Sequence, residues 1–257
     1  MLTNKVVVIT GASSGIGAIL AEQLSRNGAH VILTGRSEER LREAGKKLSG
    51  KYDVIQMDIK DMAQVQAAFD TIYENHGRID VLVNNAGYGV FEAFLETSEE
   101  QFEDMMDVNY MGIVRCTQAA LPGMLKQSRG QIVNIASIAG KMGIAKSTAY
   151  ASTKHAVLGL TNSLRQELRG TGITVSSVNP GPINTPFFQQ ADPSGRYVKN
   201  VGWFMMKPEY VVSQILKLIV KQKEEINLPK SAAAGMKIYQ LFPRLADRLL
   251  HRWMDLK

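Results

Sequence analysis

The chain has few of the residues that build disulfides and metal sites. Cys116 is the only cysteine among 257 residues, so no internal disulfide can form, which fits a reducing cytoplasm and a buried structural thiol. The four histidines are scattered along the sequence without the spacing of metal ligands: His30, His76, His155 and His251. The sequence therefore predicts no metal site.

Long apolar runs are also missing. None reaches the ~18 residues that a transmembrane helix requires. A strand-like run begins a few residues after Met1, which leaves no room for a signal peptide. We therefore expect a cytoplasmic protein.

Positive charge is concentrated near the carboxyl end. The net charge is +6, yet residues 207–257 carry ten Lys and Arg against five Asp and Glu, whereas residues 1–206 carry twenty against nineteen. This distribution predicts no nucleic-acid-binding patch. The segment 229–257 is predicted to be a basic amphipathic extension, because large apolar residues recur every four positions beside a row of arginines. Such a helix can contact a membrane surface or a partner, but we favour packing on its own domain or on a neighbouring subunit.

Apolar runs alternate with amphipathic segments along the chain, without a linker or an internal repeat. The predicted strands are at about 5–10, 30–35, 53–57, 80–84, 131–136, 173–178 and 225–228, and the long helices are near 99–127 and 150–169. In a 257-residue chain that is 45% apolar and 21% charged, this pattern indicates one α/β domain, 1–257. We expect a doubly wound, mainly seven-stranded parallel sheet with helices on both faces, which binds ligands beyond the carboxyl ends of its strands.

A glycine-rich turn follows the first predicted strand and precedes a helical pattern. In that order, the three elements form a cradle for phosphate groups at a helix N-terminus. Gly11 would allow the tight turn, Gly15 would let a pyrophosphate approach the backbone, and Gly17 would let the helix pack closely on the strand. Glycines alone would indicate only a turn, so the flanking strand and helix carry the prediction.

Tyr150 and Lys154 are four residues apart and lie on one face of a predicted helix. A lysine charge about 4 Å from the phenol, at an effective dielectric constant of about 20, is worth roughly 4 kcal/mol. That could lower the pKa of the tyrosine by up to about three units, into a range suited to proton transfer. Taken alone, the pair is also typical of an ordinary surface helix.

Five motifs, in this order and at these intervals, resemble those of the short-chain dehydrogenase/reductase family, NADP-preferring type. The motifs are Thr10-Gly11-Ala12-Ser13-Ser14-Gly15-Ile16-Gly17, Asn84-Asn85-Ala86-Gly87, Asn109, Ser137 with Tyr150 and Lys154, and Asn179-Pro180-Gly181. The similarity covers roughly residues 4–228 and implies a Rossmann-like oxidoreductase. It also implies a homodimer or homotetramer that pairs through the helices carrying Asn109 and Tyr150.

The resemblance implies a catalytic tetrad of Asn109, Ser137, Tyr150 and Lys154. Tyr150 would donate a proton to the carbonyl oxygen that receives the hydride, and Ser137 would hydrogen-bond that oxygen. Lys154 would lower the pKa of Tyr150 and hold the nicotinamide ribose. Asn109, expected inside a helix from Gln101 to Lys126, would complete the tetrad through a water relay from Lys154.

The end of the second predicted strand bears on the choice of cofactor. Gly35 stands where NAD-preferring relatives usually carry aspartate, and the guanidinium of Arg36 could grip a 2′-phosphate, so NADP(H) is expected. One observation argues against this, because Ser14 stands where many NADP-preferring relatives have a basic residue. Arg36 could also be an ordinary surface residue at the end of a strand, without a role in cofactor binding. The full set implied to bind the cofactor is Gly11, Ser13, Ser14, Gly15, Ile16, Gly17, Arg36, Asp58, Asn85, Ala86, Gly87, Tyr150, Lys154, Pro180, Gly181, Ile183 and Thr185.

Substrate choice is expected to depend on a lid, residues 187–207, which is rich in aromatic residues and methionine. These side chains would favour an apolar substrate, although they could equally cover the core or a subunit contact. The residues expected to bind substrate are Ser137, Tyr150, Tyr88, Phe187 and Trp203.

We therefore expect an NADP(H)-dependent enzyme that interconverts a carbonyl, of a ketone or aldehyde, and an alcohol. One alternative is a 3-oxoacyl thioester reductase of lipid synthesis. The other is a non-catalytic NADP(H)-binding sensor or scaffold, against which the complete tetrad argues.

Overall fold

The computed structural model describes residues 2–231 together with Gly235, Tyr239, Leu241 and Arg244. Most of the predicted basic extension, 229–257, lies outside these residues. The strands of the described part are β1 (Val6–Thr10), β2 (His30–Gly35), β3 (Tyr52–Gln56), β4 (Val81–Asn84), β5 (Gly130–Ile135), β6 (Ile173–Pro180) and β7 (Glu225–Leu228). The helices are α1 (Gly15–Arg26), α2 (Glu38–Gly45), α3 (Met62–His76), α4 (Glu99–Met106), α5 (Gly112–Lys126), α6 (Thr148–Glu167), α7 (Phe187–Ala191), α8 (Arg196–Val201) and α9 (Pro208–Lys221).

The strands form one parallel sheet in the order β3-β2-β1-β4-β5-β6-β7. Every residue of β1 is buried, because helices cover both faces of the sheet. Side chains alternate between the faces: Val7 and Ile9 pack with α1 and α9 on one side, while Val8 packs with α3 and α5 on the other. Cys116 is buried in this second layer, where burial raises the pKa of its thiol to about 12. The predicted fold class is confirmed.

Each of the seven predicted strands is present, with ends within two residues of the prediction. The long helix predicted near 99–127 is present, since α4, a π-helical turn (Asp107–Met111) and α5 follow one another without a gap from Glu99 to Lys126. The sequence did not predict the π turn within it. Such single π turns are rare and frequently occur at functional sites. Within the described part of the chain, none of the helices combines the length and apolar character that crossing a bilayer requires.

Candidate active site

The carboxyl ends of β1, β4, β5 and β6 open onto a crevice with a volume of about 930 Å³. Its wall contains almost all the residues predicted for catalysis, cofactor binding and substrate binding. The exceptions are Gly17, Asn109 and Trp203. The crevice lies at the topological switch point between β1 and β4. Strands β2 and β3 are added on one side of β1, whereas β4 to β7 are added on the other.

The glycine loop between β1 and α1 has the conformation that a phosphate cradle needs. Gly11 and Gly15 have φ of +65° and +55°, a region that favours glycine. At Gly17, a Cβ atom would lie 2.5 Å from the carbonyl oxygen of Gly11, so the helix packs on the loop at a distance that excludes any side chain. The N-cap residue of α1, Ser14, makes no side-chain capping bond. The first N–H groups of α1 are therefore suited to receive the pyrophosphate of a dinucleotide.

Two side chains join this loop to the end of β4. The buried hydroxyl of Thr10 accepts hydrogen bonds from the backbone N–H groups of Asn85 and Ala86, both at 3.0 Å. The side-chain amide of Asn85 donates to the carbonyl oxygens of Thr10 and Gly11, at 3.0 and 3.2 Å. Asn85 also lines the crevice, so the same residue forms part of its wall and holds the glycine loop in place.

Asn109 lies in the π turn, fully buried, and not in the wall of the crevice. Its side-chain amide donates to the carbonyl oxygen of Tyr88 at 2.8 Å and to the hydroxyl of Thr153 at 3.1 Å. Its side-chain oxygen accepts the N–H of Tyr88 at 2.9 Å. The side chain therefore holds the loop after β4 against α6. Asn109 lies inside the long helical segment, as predicted, but in its π turn.

Tyr150 and Lys154 both project from the first turns of α6, as their spacing predicts. The ammonium of Lys154 lies 5.7 Å from the centre of the Tyr150 ring and donates a 2.9 Å hydrogen bond to the carbonyl oxygen of Ile135. The hydroxyl of Ser137, at the end of β5, donates to the carbonyl oxygen of Pro180 at 3.3 Å and accepts the N–H of Ala139.

The sequence predicted that the pKa of Tyr150 is lowered, and this direction was wrong. Burial raises the pKa of Tyr150 to about 12, and a hydrogen bond with Ser137 offsets only part of that shift. Burial also lowers the pKa of Lys154, to about 8. Both charged forms are penalised because burial removes part of their hydration, and the lysine donates its hydrogen bond to a backbone carbonyl.

Aromatic side chains form one end of the crevice. The ring of Phe187, on α7, lies 5.7 Å from the ring of Tyr150, and Phe91 lies 5.8 Å from it. Phe188 and Tyr197 pack against Phe91 at 6.1 and 5.1 Å. We call Phe91, Phe187, Phe188 and Tyr197 the aromatic wall. It surrounds Tyr150 with apolar surface, which is the environment that raises the pKa of the phenol.

The family is decided by comparison with known proteins. A family profile described as short chain dehydrogenase matches residues 5–195. The chain belongs to this family. A Staphylococcus saprophyticus protein described as an uncharacterized oxidoreductase is 44% identical over 195 residues, which cover 74% of this chain and 83% of that protein.

Two solved structures of short chain dehydrogenases and reductases illustrate the likeness. A variant of actinorhodin polyketide ketoreductase with NADPH has 32% identity and a TM-score of 0.80, covering 89% of this chain and 97% of that one. A short chain dehydrogenase/reductase from Burkholderia phymatum in complex with NAD has 26% identity and a TM-score of 0.88, covering 95% of each chain. The protein is thus an oxidoreductase of a family that works with NAD(P)(H).

Trp203, which was predicted to bind the substrate of this short chain dehydrogenase, lies on the surface. It lies in a short 3₁₀ turn, Gly202–Phe204, and is 81% exposed, packed edge-on against Phe204 at 4.8 Å. The indole does not line the crevice in this structure, and the contact of Trp203 with substrate stays a prediction.

A polar network beside Arg36 could not be predicted from the sequence. The hydroxyl of Tyr88 donates a hydrogen bond to Asp104 on α4, which also forms an ion pair with Lys60. The hydrogen bond with Lys60 is the main cause that lowers the pKa of Asp104, and the hydrogen bond from Tyr88 comes next. The nearby positive charge of Arg36 lowers this pKa as well. The hydroxyl of Tyr88 therefore lies on the side of the crevice that holds Arg36.

Proposed function

We propose that this chain is an NADP(H)-dependent enzyme that interconverts a bulky apolar ketone or aldehyde and its alcohol, with Tyr150 as the general acid and base. The observation that carries the proposal is the meeting of Ser137, Tyr150 and Lys154 at the aromatic end of a crevice that reaches from the glycine loop past Arg36. A bound nicotinamide cofactor would supply or accept the hydride.

Tyr150 is suited to donate a proton to the carbonyl oxygen. A phenol whose pKa is about 12 keeps its proton at neutral pH, so it is an acid ready for the reductive direction. The hydroxyl of Ser137 can hydrogen-bond the same oxygen and stabilise the charge that develops there. The charge of Lys154 favours loss of the proton from Tyr150, and its ammonium can hold the ribose hydroxyls of the cofactor.

The choice of NADP(H) rests on the charge near the end of β2. Gly35 leaves no carboxylate to bond the ribose of NAD or to repel a phosphate. Arg36 is exposed and lines the crevice, together with Arg40 on α2. Two guanidinium groups there can bind a 2′-phosphate through charge-assisted hydrogen bonds.

The substrate is proposed from the chemistry of the aromatic wall. Its four rings and the side chains of Ile138 and Ile144 present apolar surface to the space beside Tyr150. Such a wall binds a hydrophobic carbonyl compound by removing its surface from water. The likeness to a polyketide ketoreductase favours a second candidate, a reductase of 3-oxoacyl thioesters.

The test is oxidation of NADPH, followed by absorbance, with ketones and aldehydes that range from small and polar to bulky and apolar, and with an acetoacetyl thioester. We expect the bulky apolar compounds to react fastest. Tyr150→Phe should lower kcat by about 10²- to 10⁴-fold and leave the Kd of NADPH nearly unchanged. Turnover that survives this change would remove Tyr150 from the role of acid, and a preference for the thioester would select the second candidate.

Cofactor choice is tested separately by Arg36→Asp. Loss of a charge-assisted bond and gain of a repulsive carboxylate should shift the ratio of the Kd values for NADPH and NADH by about 10- to 100-fold toward NADH. The ratio is measured by calorimetry on both proteins. An unchanged ratio would mean that Arg36 does not bind the 2′-phosphate.

A further inference from the structure

The opposite edge of the sheet carries a second group of functional side chains. The Nε2 atoms of His30 and His76 lie 2.8 and 2.9 Å from the same oxygen, Oδ2 of Asp53. The two imidazole rings meet edge to face, with centres 4.5 Å apart. We call these three residues the His–Asp–His cluster. The sequence did not predict this cluster, because Asp53 is 23 residues from each of the two histidines along the chain.

Three separate elements bring the cluster together. His30 is the first residue of β2, and Asp53 lies on the neighbouring strand β3, where it pairs with Ile32. His76 is the last residue of α3, which ends there because Gly77 adopts a left-handed conformation with φ of +69°. The cluster therefore links the edge strand of the sheet, its neighbour and the end of a helix.

We propose that the His–Asp–His cluster is a binding site for a divalent transition metal ion of the zinc type. Two imidazole nitrogens and one carboxylate oxygen are ligands that Zn²⁺ prefers, and water can complete a tetrahedron. Tetrahedral ligands about 2.0 Å from zinc lie about 3.3 Å from one another. The three ligand atoms already lie within 4.8 Å of one another, so small side-chain rotations bring them to this spacing.

The surroundings of the cluster also suit a cation. The side chains of His30 and His76 are 22% and 15% exposed, whereas Asp53 is 43% exposed, so an ion can enter beside the carboxylate and keep a water ligand. The carboxyl end of α3 directs its partial negative charge toward the site. Two histidines that are largely withdrawn from water lose little further freedom when they bind an ion.

The site is remote from the crevice. Strand β2 runs from His30 to Gly35, a distance of about 17 Å at 3.3 Å per residue. A metal ion in the cluster would therefore stabilise β2, β3 and α3 against one another instead of taking part in the oxidoreductase chemistry. Bound only to the native protein, it would raise the unfolding temperature.

The test uses the full chain, freed of any purification tag and treated with a chelator, then titrated with ZnCl₂ by calorimetry and with CoCl₂ by visible absorption. We expect one equivalent of either ion, the intense visible bands of tetrahedral cobalt, and a rise in unfolding temperature with ZnCl₂. His76→Gln and Asp53→Asn should each weaken zinc binding by more than about tenfold and remove the temperature rise.

The matched controls are His155→Gln and His251→Gln, which remove the other two histidines of the chain and should leave zinc binding unchanged. Near-unchanged affinity for NADPH and far-ultraviolet circular dichroism serve to verify that each variant is folded. If the wild type binds no equivalent of zinc or cobalt, or if both cluster variants keep the wild-type affinity, the proposal is overturned. If His76→Gln is unstable, Asp53→Asn, which keeps the size and polarity of the side chain, decides alone.

Discussion

The two ends of the crevice are built in different ways. The end that would hold the cofactor consists mainly of backbone: the glycine loop, the uncapped start of α1 and the braces from Thr10 and Asn85. The end around Tyr150 consists of aromatic side chains that come from the loop after β4 and from the lid. Backbone geometry tolerates almost no replacement, whereas a wall of side chains can be varied without disturbing the fold. Within one family, this difference allows substrates to change while the cofactor site is kept.

Backbone hydrogen bonds join the lid to the segments around it. The N–H of Phe91 donates to the carbonyl oxygen of Ala191 at 2.9 Å, which ties the loop after β4 to the end of α7. Within the lid, the buried carboxylate of Asp192 accepts the N–H of Val198 at 2.9 Å. The aromatic wall therefore depends on packing between segments that are far apart in the sequence.

The largest effect on cofactor binding is expected from Gly17→Ala, at the cofactor end. The new methyl group would lie 2.5 Å from the carbonyl oxygen of Gly11 and 2.6 Å from the side-chain nitrogen of Asn85, so the loop must move. We expect the affinity for NADPH to fall by more than about 100-fold and the free energy of unfolding to fall by about 1–3 kcal/mol.

Calorimetric titration with NADPH and chemical denaturation measure both effects. Gly159→Ala is the matched control, since a Cβ at Gly159, within α6, would meet no atom within 4 Å. That change should leave NADPH binding intact and, if anything, stabilise the helix by about 0.5–1 kcal/mol. Equal behaviour of the two variants would refute the close packing at Gly17.

A pH effect is expected where the two ends meet, at Lys154. Its pKa is lowered from 10.5 to about 8, so between these values the unfolded chain binds a proton that the native protein does not. The free energy of unfolding attributable to Lys154 therefore rises with pH across this window, by about 1.4 kcal/mol per unit at most.

Lys154→Met, which lacks this titration, is the reference for that measurement. From pH 8 to pH 10 the stability of the wild type relative to the variant should rise by about 2–3 kcal/mol, measured by denaturation in the absence of cofactor. A constant difference over this range would show that Lys154 titrates in the native protein as it does in water.

The smallest effects are expected in the lid, and they should differ between two of its residues. Phe187→Ala removes a ring that contacts Tyr150, and we expect KM for a bulky apolar ketone to rise about tenfold while the Kd of NADPH stays the same. Trp203→Ala should change KM by less than about twofold, because the indole lies outside the crevice. Steady-state kinetics on both variants check this, and similar losses in the two would mean that the lid brings Trp203 over the substrate.

The sequence predicted the cofactor end better than the aromatic end for a physical reason. The glycine loop, Tyr150 with Lys154, and the positions after β4 to β6 are local patterns whose meaning depends on a few neighbouring residues. The position of Trp203, the contact of Tyr88 with Asp104 and the packing of Phe91 on the lid depend on how distant segments meet. The π turn at Asn109 had no sequence signal that we could recognise. The pKa of Tyr150 was predicted from one charge, whereas the burial that outweighs it is a property of the whole fold.

The outward position of Trp203 has a practical consequence. The chain contains two tryptophans, so replacement of Trp253 by phenylalanine would leave Trp203 as the single strong fluorophore, placed on the lid. An indole that is 81% exposed emits at long wavelength, and any change that shields it from water moves the emission to the blue. Trp203 thus offers an optical signal of the lid that carries it, without any added dye.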